Sequence, residues 1–119
     1  MTESTLSLAI AQARRWYWQR ISAMVLAICA LIHLAGMIWA VRGGLSAAEI
    51  LGRTQGNWGF ASFYALFVLA CAIHVPIGLH NVLTEWTALS EQTSLRLSRL
   101  FGLFLLFFGL RAVFAVVAP

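Results

Sequence analysis

The sequence predicts an all-α membrane protein: three transmembrane helices in an up-down-up bundle, N-terminus cytoplasmic, one domain over residues 1–119. Three observations predict it. Hydrophobic residues make up 61% of the chain and charged residues 10%, against about a quarter charged in ordinary soluble chains. The runs Ile21–Val41 and Phe60–Thr84 carry no charge, and Leu100–Ala118 carries only Arg111. Each is close to or above the roughly 20 residues that cross about 30 Å of hydrocarbon. Finally, all five tryptophans (16, 18, 39, 58 and 86) fall at the ends of these runs, where an amphipathic ring sits best at a membrane-water boundary.

Spans are therefore expected over about 20–41, 60–84 and 99–118. The first is too long for a signal peptide and no small-residue cleavage site follows it. Arg14-Arg15 precedes Trp16, Tyr17 and Trp18, which reads as an interface belt rather than an export signal. Residues 1–13 are small and weakly amphipathic, expected to be disordered or to lie on the membrane surface. Gly43 and Gly44 end the first span. Ser46 followed by Glu49 is a capping-box pattern, so a short surface helix is expected over 47–52. Residues 85–98 read as the loop between the second and third spans.

Every basic residue is Arg and the formal charge is +4. The arginines sit beside spans, which points to orientation rather than nucleic acid. Arg14, Arg15, Arg20, Arg96 and Arg99 lie on one side, Arg42 and Arg53 on the other. Five against two puts the N-terminus in the cytoplasm of a multi-pass inner-membrane protein. Cys29 and Cys71 lie within spans and read as small apolar filler, with no metal-ligand spacing. Nothing suggests a nucleotide loop, a hydrolase triad or a soluble catalytic domain.

The chemistry rests on three intramembrane histidines. His74 lies 11 residues before Glu85 and 14 after Phe60, near mid-membrane. An unsatisfied polar group there costs several kcal/mol, so its imidazole needs a partner. A haem iron is one; a hydrogen bond between packed helices is the other. Gly78, one turn on, leaves room for the flat edge of a porphyrin, and Pro76 frees the carbonyl of Ala72. His80 is six residues further and points to another face, where a haem propionate or headgroup contact suits it as well as simple snorkelling. His33 lies about 20 Å deep and His74 about 16 Å from the same side, so the two are candidates to face each other across one haem, or equally to belong to different contacts. Ala30 and Gly36 flank His33 as a close-packing surface.

A second constellation gathers at the cytoplasmic ends of the first two spans. Gln19, Arg20 and Ser22 open the first; Glu85 and Trp86 close the second. Such a set serves either to anchor the interface or to hold a quinone, whose reduction needs polar contacts to its carbonyl oxygens and a proton route. Arg111 reads as snorkelling to the far surface, with a propionate or an intersubunit carboxylate as the alternative. Gly102 and Gly109 share a face and suggest a helix-contact seam.

The stretch His74–Trp86 resembles the second membrane helix of the cytochrome b anchor subunits of succinate dehydrogenase and fumarate reductase (respiratory complex II). Those anchors carry a haem-ligating His, a Gly four residues later, and an acidic residue followed by an aromatic or glycine near the cytoplasmic end; here these are His74, Gly78, Glu85 and Trp86. Gln19-Arg20-Ile21-Ser22-Ala23 is similar to the family's Arg-x-Ser/Thr-small pattern beside the quinone pocket. The resemblance covers roughly residues 16–118. It implies that His74 is the haem b axial ligand, that Arg20, Ser22, Glu85 and Trp86 neighbour the quinone, and that His80 lies where one branch has an Arg near the propionates. It also implies a flavoprotein subunit, an iron-sulfur subunit, and a second anchor chain or a copy of this one supplying the other axial ligand, with His33 as the internal alternative. Trp86 departs from the family's Tyr, since its indole donates but cannot shuttle a proton, and His80-Asn81 replaces Arg-His; the chain falls between the two anchor types. The rival readings are a b-type cytochrome of another respiratory dehydrogenase, and a haem-free scaffold or small transporter.

Overall fold

The computed structural model describes residues 2–119 and is helical almost throughout. Helix α1 runs Glu3–Gly43, α2 Ala47–Thr54, α3 Trp58–Trp86 and α4 Glu91–Val117. Three of them, α1, α3 and α4, are long and apolar enough to cross a membrane. Large apolar side chains such as Leu31, Leu66, Leu103 and Phe107 lie exposed on their outer faces, as expected where lipid rather than water is the solvent.

Each helix starts at a side-chain cap. Thr2, Ser46, Asn57 and Ser90 accept a hydrogen bond from the backbone N–H three residues on, which satisfies one of the orphan donors of the first turn. The Ser46/Glu49 capping box is complete: the Ser46 hydroxyl accepts from the Glu49 N–H, and the Glu49 carboxylate accepts from the Ser46 N–H at 2.9 Å. Gly44, with φ at 100°, lets the chain leave α1 in a conformation that side chains rarely adopt.

Three boundaries differ from expectation. Of residues 1–13, expected to be disordered or to lie on the membrane surface, residues 3–13 form the first part of α1, which reaches about 60 Å at 1.5 Å per residue; Met1 lies outside the described residues. Helix α4 starts at Glu91, so the α3–α4 loop is Thr87–Ser90 and not 85–98. Ser90, with Glu91 in the first turn, supplies the start signal. Helix α2 runs two residues past the expected end.

Helix α3 is the middle of the bundle. It packs antiparallel against α4 along the more extensive seam and against α1 along the lesser one, whereas α1 and α4 meet at most marginally. Val68, Ala72 and Pro76 form the α3 stripe that meets Gly102 and Gly109 of α4. A Cβ on Gly102 would collide with the Pro76 ring, and one on Gly109 would come within 2.6 Å of Val68. The expected glycine seam is thus real and steric. Ser94 and Ser98, fully buried, continue it toward the start of α4. Gly102 also faces the Ala72 carbonyl, the one that Pro76 deprives of its amide partner.

At the far end, α2 and its turn close over the last turn of α4. Thr54 donates to the Val116 carbonyl at 2.7 Å, and the Gly56 N–H to the Val117 carbonyl at 2.8 Å. Both acceptors are C-terminal carbonyls with no partner inside their own helix. Arg53 reaches back to α1, donating to the Gly44 carbonyl and lying over the Trp39 ring.

Candidate functional site: the polar seam between α1 and α3

An antiparallel ladder of polar pairs marks this seam. From the arginine-rich end, Arg15 donates to Asn81 at 3.4 Å, Gln19 lies against Gly78, Ser22 meets His74 at 3.3 Å, and His33 meets Tyr64 at 2.7 Å. On α1 the steps are four, three and eleven residues, and on α3 three, four and ten. These steps keep one face of each helix turned to the other. In this register Trp39 and Trp58 stand nearly level, which marks one membrane boundary. Trp18 is twenty-one residues from Trp39, about 31 Å along the helix, matching a hydrocarbon core.

The Ser22–His74 contact fixes more than position. Ser22 is 4% exposed. Its hydroxyl lies 2.7 Å from the Trp18 carbonyl and 3.1 Å from the Gln19 carbonyl of its own helix. A hydroxyl has one proton to give, and the short contact to Trp18 takes it. The Ser22 oxygen is then free to accept from His74 Nδ1 at 3.3 Å, and an imidazole that donates there as its Nδ1–H tautomer keeps a lone pair on Nε2. A neutral imidazole, oriented through Nδ1–H and basic at Nε2, is the form that ligates a metal.

One turn further along α3, Gly78 is covered by a single flexible side chain. A Cβ on Gly78 would meet only the Gln19 amide nitrogen, at 3.1 Å, the far end of a flexible side chain. The Gln19 Oε1 is buried without a hydrogen-bond partner. The surface over Gly78 is covered by a group that lacks a full set of bonds there and can swing away. The residues present fit a haem on His74. Among the described residues no three His, Cys, Asp or Glu side chains group as a metal site; a porphyrin iron, which takes one imidazole from each side, needs no such group.

His33 is placed differently from the reading that paired it with His74. It is tied to the Tyr64 hydroxyl, within an aromatic cluster with Phe67. Tyr64 lies ten residues from His74 on α3, about 15 Å along the axis. Each imidazole is held at its own level through Nδ1, so the two do not share one iron within this chain. Cys29 and Cys71 lie in the seam between them, both as free thiols.

His80 continues the Val68–Ala72–Pro76 stripe and so faces α4, not the α1 seam. It is 5% exposed and its Nδ1 has no partner; the same holds for the Ser94 hydroxyl. His80 lies next to Asn81, at the level of Arg15 and so near the arginine-rich boundary, but a step of six residues turns it off the His74 side and onto the α4 face.

The end constellation is only partly assembled. Ser22 and Gln19 enter the seam, whereas Arg20 is exposed and lies over the Trp16 ring at 5.2 Å. Glu85 and Trp86 are exposed, Trp86 at 82%. Among the described residues no hydrogen bond joins Arg20 to either. Arg111 is exposed on α4. Asn81, Tyr64 and the Ser22–His74 pairing escaped the sequence reading; levelling Trp39 with Trp58 would have set the register and revealed all three. No family model matches this chain, and no curated protein or solved structure matches it; what is established is a multi-pass, three-helix membrane protein with a histidine-bearing polar seam.

Proposed function

We propose that the chain is a haem b-containing membrane anchor subunit of a succinate dehydrogenase/fumarate reductase-type complex, passing electrons between an iron-sulfur partner subunit and membrane quinone. The observation that carries this reading is the Ser22–His74 contact, which engages Nδ1 of an imidazole within the span and turns Nε2 into the candidate ligating nitrogen. His74 holds the iron, Ser22 orients the ring, and Gly78 with a displaced Gln19 admits the macrocycle's edge. The haem supplies one-electron exchange within the membrane.

A further residue to hold the haem would come from another anchor chain or a second copy of this one. The flank of α3 left open where α1 and α4 fail to meet gives it access. Arg20, Glu85 and Trp86 line the quinone site at the arginine-rich end, which faces the cytoplasm of an inner membrane. Their exposure suits closure by the iron-sulfur subunit, with a flavoprotein subunit behind it. Trp86 donates its indole N–H to a quinone oxygen; Arg20 and Glu85 supply a cation and a proton-carrying carboxylate at the same level. His80 has no place in this site because it faces α4.

A haem-free scaffold is the second reading. It is favoured by the hydrogen bonds that His33 and His74 already make within the chain. Reduced-minus-oxidised absorption of the purified membrane complex separates the two. The anchor reading expects b-type bands that vanish in His74→Ala and persist in His80→Leu, together with copurifying flavin and iron-sulfur subunits. Absence of the bands leaves the scaffold, and bands unchanged in His74→Ala remove His74 from the iron.

A further inference from the structure

A cleft of about 350 Å³ opens on the lipid-facing flank of the α1–α3 seam, lined by Arg14, Arg15, Trp18, Ile73 and Ile77. Its chemistry is graded along the membrane normal. The two guanidinium groups stand at its mouth. Arg15 is half-buried and tied across the seam to Asn81, which holds its position while most of its five donors stay free. Trp18, 46% exposed, sits at the boundary. Ile73 and Ile77 make an aliphatic floor that runs toward the bilayer interior. No carboxylate lines the cleft to neutralise the arginines.

We propose that this cleft is a binding site for one anionic glycerophospholipid. Its phosphate accepts from the Arg14 and Arg15 forks, and an acyl chain lies along Ile73 and Ile77. A guanidinium matches a phosphate through paired N–H donors, and basic recesses between membrane helices attract anionic headgroups. A zwitterionic lipid brings its own cation to the mouth and loses that advantage. The cleft is open and shallow on the lipid side, which suits a chain that stays part of the bilayer. The inference does not depend on the haem reading, since none of the five lining residues holds the iron or the quinone.

The test uses the full chain in its purified native complex, in detergent, with dioleoyl phosphatidylglycerol or dioleoyl phosphatidylcholine added and retained lipid counted by native mass spectrometry. The expected result is one phosphatidylglycerol per chain, held roughly tenfold or more tightly than phosphatidylcholine. Arg14→Gln/Arg15→Gln should bring retention down to the phosphatidylcholine level, and Ile77→Trp, which fills the floor, should lower it with both arginines intact. Because Arg14 and Arg15 also orient the chain, Arg14→Lys/Arg15→Lys serves as the variant that keeps charge and insertion; it should retain an intermediate amount, having lost the fork geometry. Equal retention of the two lipids by the unaltered chain would overturn the assignment, as would undiminished phosphatidylglycerol in the Lys or Ile77 variants. Full competition by millimolar inorganic phosphate would make it a free-anion site. Loss of b-type absorption in the Lys variant would assign the arginines to a tetrapyrrole's carboxylates instead. A complex with no haem at all leaves the lipid result to stand or fall by itself.

Discussion

The two seams of α3 are built on opposite principles. Toward α4 the surface is small and steric: Gly102 and Gly109 let the backbones close on Pro76 and Val68, and the polar atoms caught there, His80 Nδ1 and Ser94 Oγ, lack hydrogen-bond partners. Toward α1 the contact is less extensive and is made by paired polar groups, Ser22 with His74 and His33 with Tyr64. Apolar side chains gain little by leaving lipid for each other, so membrane helices associate through close packing or through hydrogen bonds. This chain uses the first to hold α3 and α4 together and the second to place imidazoles. Structure and chemistry are divided between two faces of one helix.

Breaking the steric seam should have the largest effect. Gly102→Leu drives a side chain into the Pro76 ring, and we expect no correctly folded protein, read as loss of the monodisperse peak on detergent size-exclusion. Gly102→Ala should cost about 1–3 kcal/mol by overpacking. Gly36→Ala, where nothing lies within 4 Å, should be tolerated; equal damage from both would refute the asymmetry. Next comes the polar seam. On the proposed haem reading, Ser22→Ala removes the hydroxyl that meets His74 Nδ1 and should weaken haem retention by roughly ten- to a hundredfold with helical content unchanged, whereas Ser22→Thr preserves it. Haem retention indifferent to Ser22→Ala would mean that the hydroxyl does not set the tautomer.

Smaller effects sharpen the contrast. Tyr64→Phe loses one hydrogen bond to His33, about 1 kcal/mol in a membrane interior, measurable by steric trapping of the unfolded state. His80→Leu removes a buried polar atom that has no partner, so stability should hold or rise; a marked loss would mean that the α4 seam is not the purely steric surface described. The smallest concerns Glu49, outside the spans. The Ser46 hydroxyl, then its backbone N–H, and Arg53 hold its carboxyl below the usual carboxylate value. A depressed carboxylate contributes stability above its unfolded pKa and loses it as pH falls through the folded one. Amide exchange in residues 46–54 should therefore quicken in acid, and Glu49→Gln should flatten that dependence.

Hydropathy located the three spans well, because an uncharged run of that length has few other uses. It misplaced helix ends for the same reason. A charge reports where lipid stops, not where hydrogen bonding stops, so Glu91, Arg96 and Arg99 made the start of α4 look like a loop and Arg14-Arg15 made the start of α1 look like a separate segment. The glycine seam was legible from the spacing of Gly102 and Gly109. Ser22 and His74 were both singled out, but in different constellations. Which residue of α1 meets which of α3 depends on antiparallel register, and no single helix encodes that. His80 was legible in direction, six residues round from His74, but not in burial, which depends on the small residues of α4.

Helix α1 continues well beyond the membrane boundary at Trp18: the fifteen residues from Glu3 to Tyr17 form about 22 Å of unbroken rod, while α3 and α4 are joined nearby by a turn of only four residues. The surface on that side is a post beside a low saddle. A body resting on that side would meet the flank of the rod as well as the turn, two surfaces at different heights rather than one flat face.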